Sequence, residues 1–443
     1  MRFCAVRNTS ARIDPTRLMM SNASPNAETR GLPYWELVTM VACLMALNAA
    51  AIDIFIPSLQ EMGAALGVDD ANQRQFVITA YILGFGGAQI LYGTLSDRFG
   101  RRPILFFGLA VYILASIAAI FSPTFGILLA LRALQGIGAA ATRVIAISVV
   151  RDCFGGRRMA SVMSLVMMVF MAIPVIAPNI GQAIMLFGSW REIFVAIAIF
   201  GAFVTVWAAL RLPETLHPND RRELTGKRIV EAFRIVLTNR VAFGYTVSTA
   251  LIFGVLFGFI NQAEQIYTGL YGLGPIFTVV FSATAVFMSA ASFLNSKLVE
   301  KLGMRRLSHG ALIGFLSLAA LHLVVAYAMG GAAPLWFFVP IMTLNFCLFG
   351  FIGTNFNALA MDPLGHVAGT ASSVLGFMQT FGGGLFGAAI GYFYDGTVLP
   401  MLVGFIILSV SSLICVVLAE GRLFDAKYDT PAAGSAPAST GAE

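Results

Sequence analysis

The chain has 443 residues, 58% of them hydrophobic and only 11% charged, with a net charge of +6 and a mean hydropathy of +0.83. A soluble domain is about 45–50% apolar and about 25% charged, so a soluble enzyme, a disordered protein and a secreted disulfide scaffold are all excluded. The apolar runs are continuous and about 20 residues long, the length that crosses a bilayer as a helix. A barrel of alternating apolar and polar strands is therefore excluded as well.

Twelve such runs follow in chain order: 35–57, 75–95, 103–122, 126–149, 160–184, 191–211, 241–263, 275–296, 306–328, 334–358, 368–392 and 398–419. They predict an all-α integral membrane protein. Most connections are short, so successive helices are antiparallel neighbours. The stretch 212–240 is long and charged, with Asp220, Arg221, Arg222, Glu223, Lys227 and Arg228. It divides the chain into a tail (1–33), a six-helix half (34–211), a linker (212–240), a second six-helix half (241–420) and a second tail (421–443). Residues 1–33 carry arginines at 2, 7, 12 and 17 and no apolar core, which argues against a cleavable signal peptide. A start at Met19 or Met20, or an organellar transit peptide, would explain them. The tail 426–443 is of low complexity and reads as disordered.

Lys and Arg placement orients the chain. With the N-terminus cytoplasmic, the inner side receives Arg98, Arg101, Arg102, Arg151, Arg157, Arg158, Lys297, Lys301, Arg305, Arg306 and the linker, and the outer side only Arg74 and Arg191. The positive-inside rule then places both termini in the cytoplasm. The five cysteines (Cys4, Cys43, Cys153, Cys347, Cys415) have no CxxC spacing and read as small apolar residues or free thiols. The four histidines are dispersed, and no HExxH, GxSxG or Walker loop is present. No enzyme activity, cofactor, metal or nucleic-acid partner is expected, and coupling falls to an ion gradient.

An internal repeat is visible. Ser96-Asp97-Arg98-Phe99-Gly100-Arg101-Arg102 follows the second run, and Val299-Glu300-Lys301-Leu302-Gly303-Met304-Arg305-Arg306 follows the eighth. In the first copy Gly93 lets helices approach, Gly100 permits a sharp turn and Pro103 suits the first turn of the next helix. Asp97 is placed to accept hydrogen bonds from a neighbouring helix N-terminus. Charges bridging the two halves here would latch one conformation.

The membrane interior contains its own polar residues. Asp53 lies near the end of the first run, before Pro57. A carboxyl in an apolar cavity can bind and release a proton near neutral pH; capping of the outer helix end is the plainer role. The fourth run holds Arg132, Gln135, Gly136 and Arg143. An arginine inside an apolar helix costs about 2.5–3.5 kcal/mol on insertion scales. Arg143 follows Arg132 by eleven residues, which places both on one helix face. That face is expected to line the path, unless Arg132 snorkels outward and Arg143 reaches the cytoplasm or an acid such as Glu36. The fifth run carries Pro174, Pro178 and Gly181, which bend a helix and allow close packing. Its Met167, Met168, Phe170 and Met171 suit either an adaptable apolar wall or a lipid-facing surface. The seventh run ends in Asn261-Gln262-Ala263-Glu264-Gln265, a polar group near the outer mouth that suits either a substrate cavity or an outer loop.

These motifs carry a resemblance. The segment Gly93 to Pro103 resembles the loop signature of the major facilitator superfamily, and two parallel six-helix halves are its organisation. The Arg132/Gln135/Gly136 group resembles the family's fourth-helix motif. Pro174-x-x-Ala177-Pro178 resembles its antiporter motif, with Ala177 standing for a glycine. Together with Asp53-x-x-x-Pro57, Val150-Arg151-Asp152, Trp190-Arg191 with Phe194, Leu212-Pro213-Glu214-Thr215-Leu216 and Ala368-Gly369-Thr370-Ala371-Ser372-Ser373, residues 35–420 look like the Bcr/CflA branch of drug:proton antiporters. Two departures stand out: Ile147 replaces an arginine common in relatives, and the amides at 261–265 replace a small residue and a proline.

The resemblance implies a twelve-helix major facilitator in a bacterial inner membrane, exporting drugs or other organic small molecules against inward proton flow. Its partners are the substrate, protons and the lipid bilayer, and it acts as a monomer. Asp53 would carry the proton and Arg132 modulate it. Arg143, Gln135, Asn261, Gln262 and Glu264 would line the substrate cavity. Gly93, Asp97, Arg98, Gly100, Arg101 and Arg102 would form the latch. A proton-coupled importer of a polar metabolite and a non-transporting membrane sensor are the alternatives.

Overall fold

The computed structural model describes residues 32–217 and 226–421. Both expected tails, the start at Met19 or Met20, and Asp220 to Glu223 of the linker fall outside the described residues or almost entirely so. Among the described residues, twelve helices are long and apolar enough to cross a membrane. They are α1 (Tyr34–Asp53), α2 (Phe76–Phe99), α3 (Arg101–Ile120), α4 (Phe125–Cys153), α5 (Gly156–Phe187) and α6 (Trp190–Arg211) in the first half. The second half has α7 (Arg240–Glu264), α8 (Phe277–Leu302), α9 (Met304–Ala328), α10 (Leu335–Met361), α11 (Ala371–Tyr392) and α12 (Leu399–Glu420). All twelve expected runs are present.

The differences have local causes. The first run ends at Asp53, because the chain turns into a short 3-10 segment containing Pro57 and then a separate helix, Leu59–Ala65. Pro lacks the N–H that a continuing helix needs. Helix α5, in contrast, runs through both Pro174 and Pro178. Within the linker, Gly226–Thr238 forms an amphipathic helix where only a charged connection was expected. Its Phe233 ring meets Phe377 edge-on at 5.9 Å. Helix α7 ends in a π turn, Gln265–Leu270, and α11 contains another at Met378–Gly382.

Within the first half α4 is the hub, packed along α2 and α3, with α1 on α5 and α3 on α6. Glycines set these spacings. A Cβ on Gly136 would stand 2.1 Å from the carbonyl oxygen of Tyr81, and one on Gly181 2.1 Å from that of Ile54. In the second half α7 holds α10, α11 and α12. The halves meet along α2 and α11 and along α5 and α8, whereas α4 and α10 are not packed together.

The repeat is real in three dimensions. Gly100 and Gly303 both take positive φ, 102° and 79°, between consecutive helices, a conformation that favours glycine. The two copies differ in charge wiring. Arg101 pairs with Asp97 at 2.6 Å and Asp152 at 2.9 Å, while Arg305 pairs with Glu420 at 2.8 Å.

Candidate functional site

Two sides of the molecule can be distinguished: the terminal side, where α1 begins and α12 ends, and the far side, where α1 ends at Asp53 and α7 ends at Glu264. On the far side the halves are stitched together by neutral groups. Asn72 Nδ2 donates to the carbonyls of Tyr392 (3.0 Å) and Tyr394 (2.7 Å). Gln265 Nε2 donates to the carbonyl of Ala71 at 2.6 Å, and Asn261 Nδ2 to Thr79 Oγ1 at 3.2 Å. Asn179 on α5 donates to Ser282 Oγ on α8 at 2.6 Å, and deeper in, Gln89 reaches Thr380 at 3.2 Å.

This seam accounts for the amides at the end of α7. Asn261, Gln262 and Glu264 are buried, and Gln262 donates to the carbonyl of Ile390 at 2.9 Å. They stand in a closed interface rather than around an open cavity, because α7 abuts α2 and α11 here. Gln135 is also displaced from its expected place on the path. Its Nε2 donates to Ser116 Oγ at 2.7 Å in the α3–α4 interface, and its Oε1 accepts from Arg132.

Arg132 is fully buried. Its Nε donates to the Val77 carbonyl at 3.0 Å and its Nη2 to the Ala51 carbonyl at 2.8 Å. The guanidinium also lies over the rings of Phe55 (4.4 Å) and Tyr81 (4.6 Å). It therefore does not snorkel outward. It makes no ion pair with Asp53: the carbonyl oxygens, the Gln135 amide and the two rings occupy its faces. Asp53 itself is 4% exposed, and its Oδ1 is buried without a hydrogen-bond partner among the described residues.

Arg143 shares the α4 face of Arg132, as the eleven-residue spacing requires. It is half-buried, over Phe85 at 5.9 Å. Glu36 is not its partner, because Arg211 holds that carboxylate with two 2.7 Å bonds.

The loop motif closes within the first half. The Arg101 guanidinium binds Asp97, Ser96 Oγ and Asp152, and Thr215 donates to Asp152 at 3.1 Å. The N-terminus of α3 is capped by Glu214, which accepts from the backbone N–H of Arg101 (2.9 Å) and Arg102 (3.1 Å). The expected cap, Asp97, is occupied by Arg101 instead. Arg102 donates to the Ala209 carbonyl, and Arg98 is exposed beside Phe99. Gly93 does approach the second half: a Cβ there would meet Ser373 Oγ at 3.0 Å.

Where α5 meets the second half lies a cavity lined by Met171 of α5 and, on α7, α8 and α10, by Phe253, Met288, Phe349, Thr354 and Asn357. Met171 lines this cavity, whereas Met168 is 64% exposed and points outward. The second-half lining escaped the sequence reading, although Asn355 and Asn357 in an apolar helix were a visible signal. Asn355 Nδ2 donates to Asn295 Oδ1 at 2.7 Å, and Asn295 to Thr354 Oγ1 at 3.2 Å.

Residues 41–388 match the Major Facilitator Superfamily. The chain belongs to that superfamily. As a major facilitator it is a multi-pass membrane transporter and not an enzyme. It is 31% identical over 372 residues to a bicyclomycin resistance protein homolog of Haemophilus influenzae, covering 82% of this chain and 91% of that one. It is 30% identical over 387 residues to the multidrug resistance protein MdtL of Escherichia coli, covering 86% and 94%. These relatives agree with the drug-antiporter resemblance. Among solved structures, a bacterial homolog of the human lysosomal transporter Spinster, inward-facing and unoccupied, superposes with a TM-score of 0.64 at 14% identity, covering 88% and 95%. A human organic anion transporter, TETRAN, gives 0.64 at 16% identity, covering 88% and 100%. Both establish the fold.

Proposed function

We propose that this major facilitator exports organic small molecules across a bacterial inner membrane in exchange for protons. The terminal side faces the cytoplasm, and the halves rock around the cavity between them. The observation that carries the proposal is Asp53. Desolvation makes a buried, unpaired carboxylate costly, so a membrane-embedded carboxyl with a partnerless buried oxygen is a proton-binding group. Arg132, committed to backbone carbonyls, holds α1, α2 and α4 around that carboxyl. It positions Asp53 rather than neutralising it.

The far-side seam supports alternating access. It consists of amides and hydroxyls, whose net bonds are each about 0.5–1.5 kcal/mol, weak enough to open in a transport cycle. The Met171, Met288, Phe253 and Phe349 wall suits substrates of varied shape. The relatives named for bicyclomycin and multidrug resistance support export. The driving force is adequate: about 2.3 kcal/mol per charge through 100 mV and about 1.4 kcal/mol per proton per pH unit. Together these sustain a concentration ratio of several hundred.

Solute accumulation in an efflux-deficient bacterium expressing the protein tests the proposal. Export predicts reduced accumulation of at least one neutral or charged drug in a broad panel, restored by a protonophore. Accumulation that rises, and collapses with protonophore, would instead identify an importer. No protonophore-sensitive flux of any panel member would reject proton-driven drug transport.

A further inference from the structure

Arg143 has no hydrogen bond or ion pair among the described residues; its one contact of this kind is the Phe85 ring. The other arginines with guanidinium groups deep in the first half are satisfied. Arg132 has three hydrogen bonds and two rings, and Arg101 has two carboxylates. The acids of the first half are committed or remote. Glu36 belongs to Arg211 and Asp152 to Arg101. Asp53 and Glu264 stand at the far-side ends of α1 and α7, whereas Arg143 lies past the midpoint of α4 toward the terminal side.

The Phe85 ring under the guanidinium belongs to α2, the helix that packs on α11 of the second half. Phe85 is followed by Gly86, where a Cβ would come within 2.6 Å of the backbone nitrogen of Phe381 on α11. The arginine's own helix, α4, is not packed against α10, whose Thr354 and Asn357 line the cavity where α5 meets the second half. A guanidinium presents five donors in a planar fork that fits a carboxylate or phosphate edge. A charged group left unpaired at membrane depth is expensive and marks a substrate pathway by default. That cavity is mostly apolar, with Asn357, Ser292 and Thr354 as its polar side chains, and no carboxylate is among its lining residues.

We propose that Arg143 is the specificity site for an anionic group on the transported molecule, so that the preferred substrates are organic anions with an aromatic or aliphatic body. The anion docks its oxygens on the guanidinium while its body lies against the methionine–phenylalanine wall. Organic cations are disfavoured by the same charge. This deepens the transport proposal and rests on it for the existence of a carried substrate.

The test uses the purified full chain in lipid nanodiscs and three isosteric probes: naphthoate, naphthamide and naphthylmethylammonium. Thermal stabilisation titrations give an apparent Kd for each. Wild type should bind naphthoate at least ten-fold more tightly than naphthamide, and the ammonium most weakly. Arg143→Gln should abolish that preference, and Arg143→Lys should keep part of it. Without ligand, Arg143→Gln should melt higher than wild type, because an unpaired charge has been removed. That rise also shows that the variant folds. Equal effects of naphthoate and naphthamide on wild type, including none from either, overturn the assignment, as does a preference that survives in Arg143→Gln. Loss of proton-driven efflux with the anion preference intact would count against the export proposal alone. Export of a neutral drug without anion preference would count against Arg143 alone.

Discussion

Arg132 and Arg143 stand on one face of α4, over Tyr81 and Phe85 of α2, and among the described residues only Arg132 has hydrogen-bond partners. The two rings lie one turn apart and nearly parallel, with centroids 6.3 Å apart. Identical side chains on one stripe therefore do different work: the first fixes three helices and the second is left for something else.

The fixed arginine predicts a stability effect. Lysine in place of Arg132 has a compact ammonium and cannot serve the Val77 and Ala51 carbonyls and the Gln135 amide at once. Each buried acceptor left bare costs about 1–3 kcal/mol. Arg132→Lys should lower the melting temperature in nanodiscs by several degrees, and Arg132→Ala by more. An unchanged melting temperature for Arg132→Lys would remove the argument that the fork holds α1, α2 and α4 together.

The Glu214 cap gives a second prediction. Its carboxylate serves the first N–H groups of α3 and sits so close to Gly100 that a Cβ there would be 2.6 Å from Glu214 Oε2. Loss of a cap costs about 0.5–2 kcal/mol, and a carboxylate at a helix N-terminus adds a favourable charge–dipole contribution. Glu214→Ala should therefore destabilise by about 1–2 kcal/mol. Gly100→Ala should cost more, since it combines a strained positive φ with collision against the same carboxylate. Urea or thermal unfolding of both variants checks the order, and the reverse order would show that the cap rather than the backbone dominates.

The twelve spans were legible because each must cover the bilayer with apolar residues, and Gly100 and Gly303 were legible because a tight turn between helices selects for glycine. The one-face placement of Arg132 and Arg143 followed from the helix period alone. Partner choice was not legible. Whether Asp97 or Glu214 caps α3, and whether Glu36 meets Arg143 or Arg211, depends on which helices the fold brings together across more than a hundred residues. The far-side seam was hidden for the same reason: Asn72 and Gln89 are unremarkable amides, and Gln265 stands out only as part of a polar stretch, until the fold sets them against Tyr392, Thr380 and Ala71.

That seam should behave as a gate. Asn72→Ala and Gln265→Ala together remove the bonds to Tyr392, Tyr394 and Ala71. At about 1 kcal/mol net per side chain, the double variant should shift the equilibrium toward the far-side-open state by about an order of magnitude or more. Spin labels at Asp69→Cys and Phe393→Cys, both exposed positions flanking the seam, report the distance across it. A longer-distance population should grow in the double variant. Identical distance distributions would mean that α2–α11 and α5–α8 packing, and not the amides, holds that side closed.

Asp53 supplies the last prediction, in which stability and function separate. Asparagine has the shape of a protonated aspartic acid but cannot lose the proton. Because Asp53 makes no ion pair or hydrogen bond among the described residues, Asp53→Asn removes no partner and should leave the melting temperature close to wild type. Transport should change in a specific way. In proteoliposomes, wild-type substrate movement should accelerate as the far-side compartment is made more acidic than the terminal side, since protons then flow in the direction opposite to substrate. It should slow when that gradient is reversed. Asp53→Asn should be indifferent to the gradient in both directions while still exchanging substrate for substrate, because the halves can rock with a neutral side chain in place. A variant that keeps the wild-type dependence on the pH gradient would place the carried proton elsewhere, and Glu264, the other buried acid at the far side among the described residues, would be the next residue to replace.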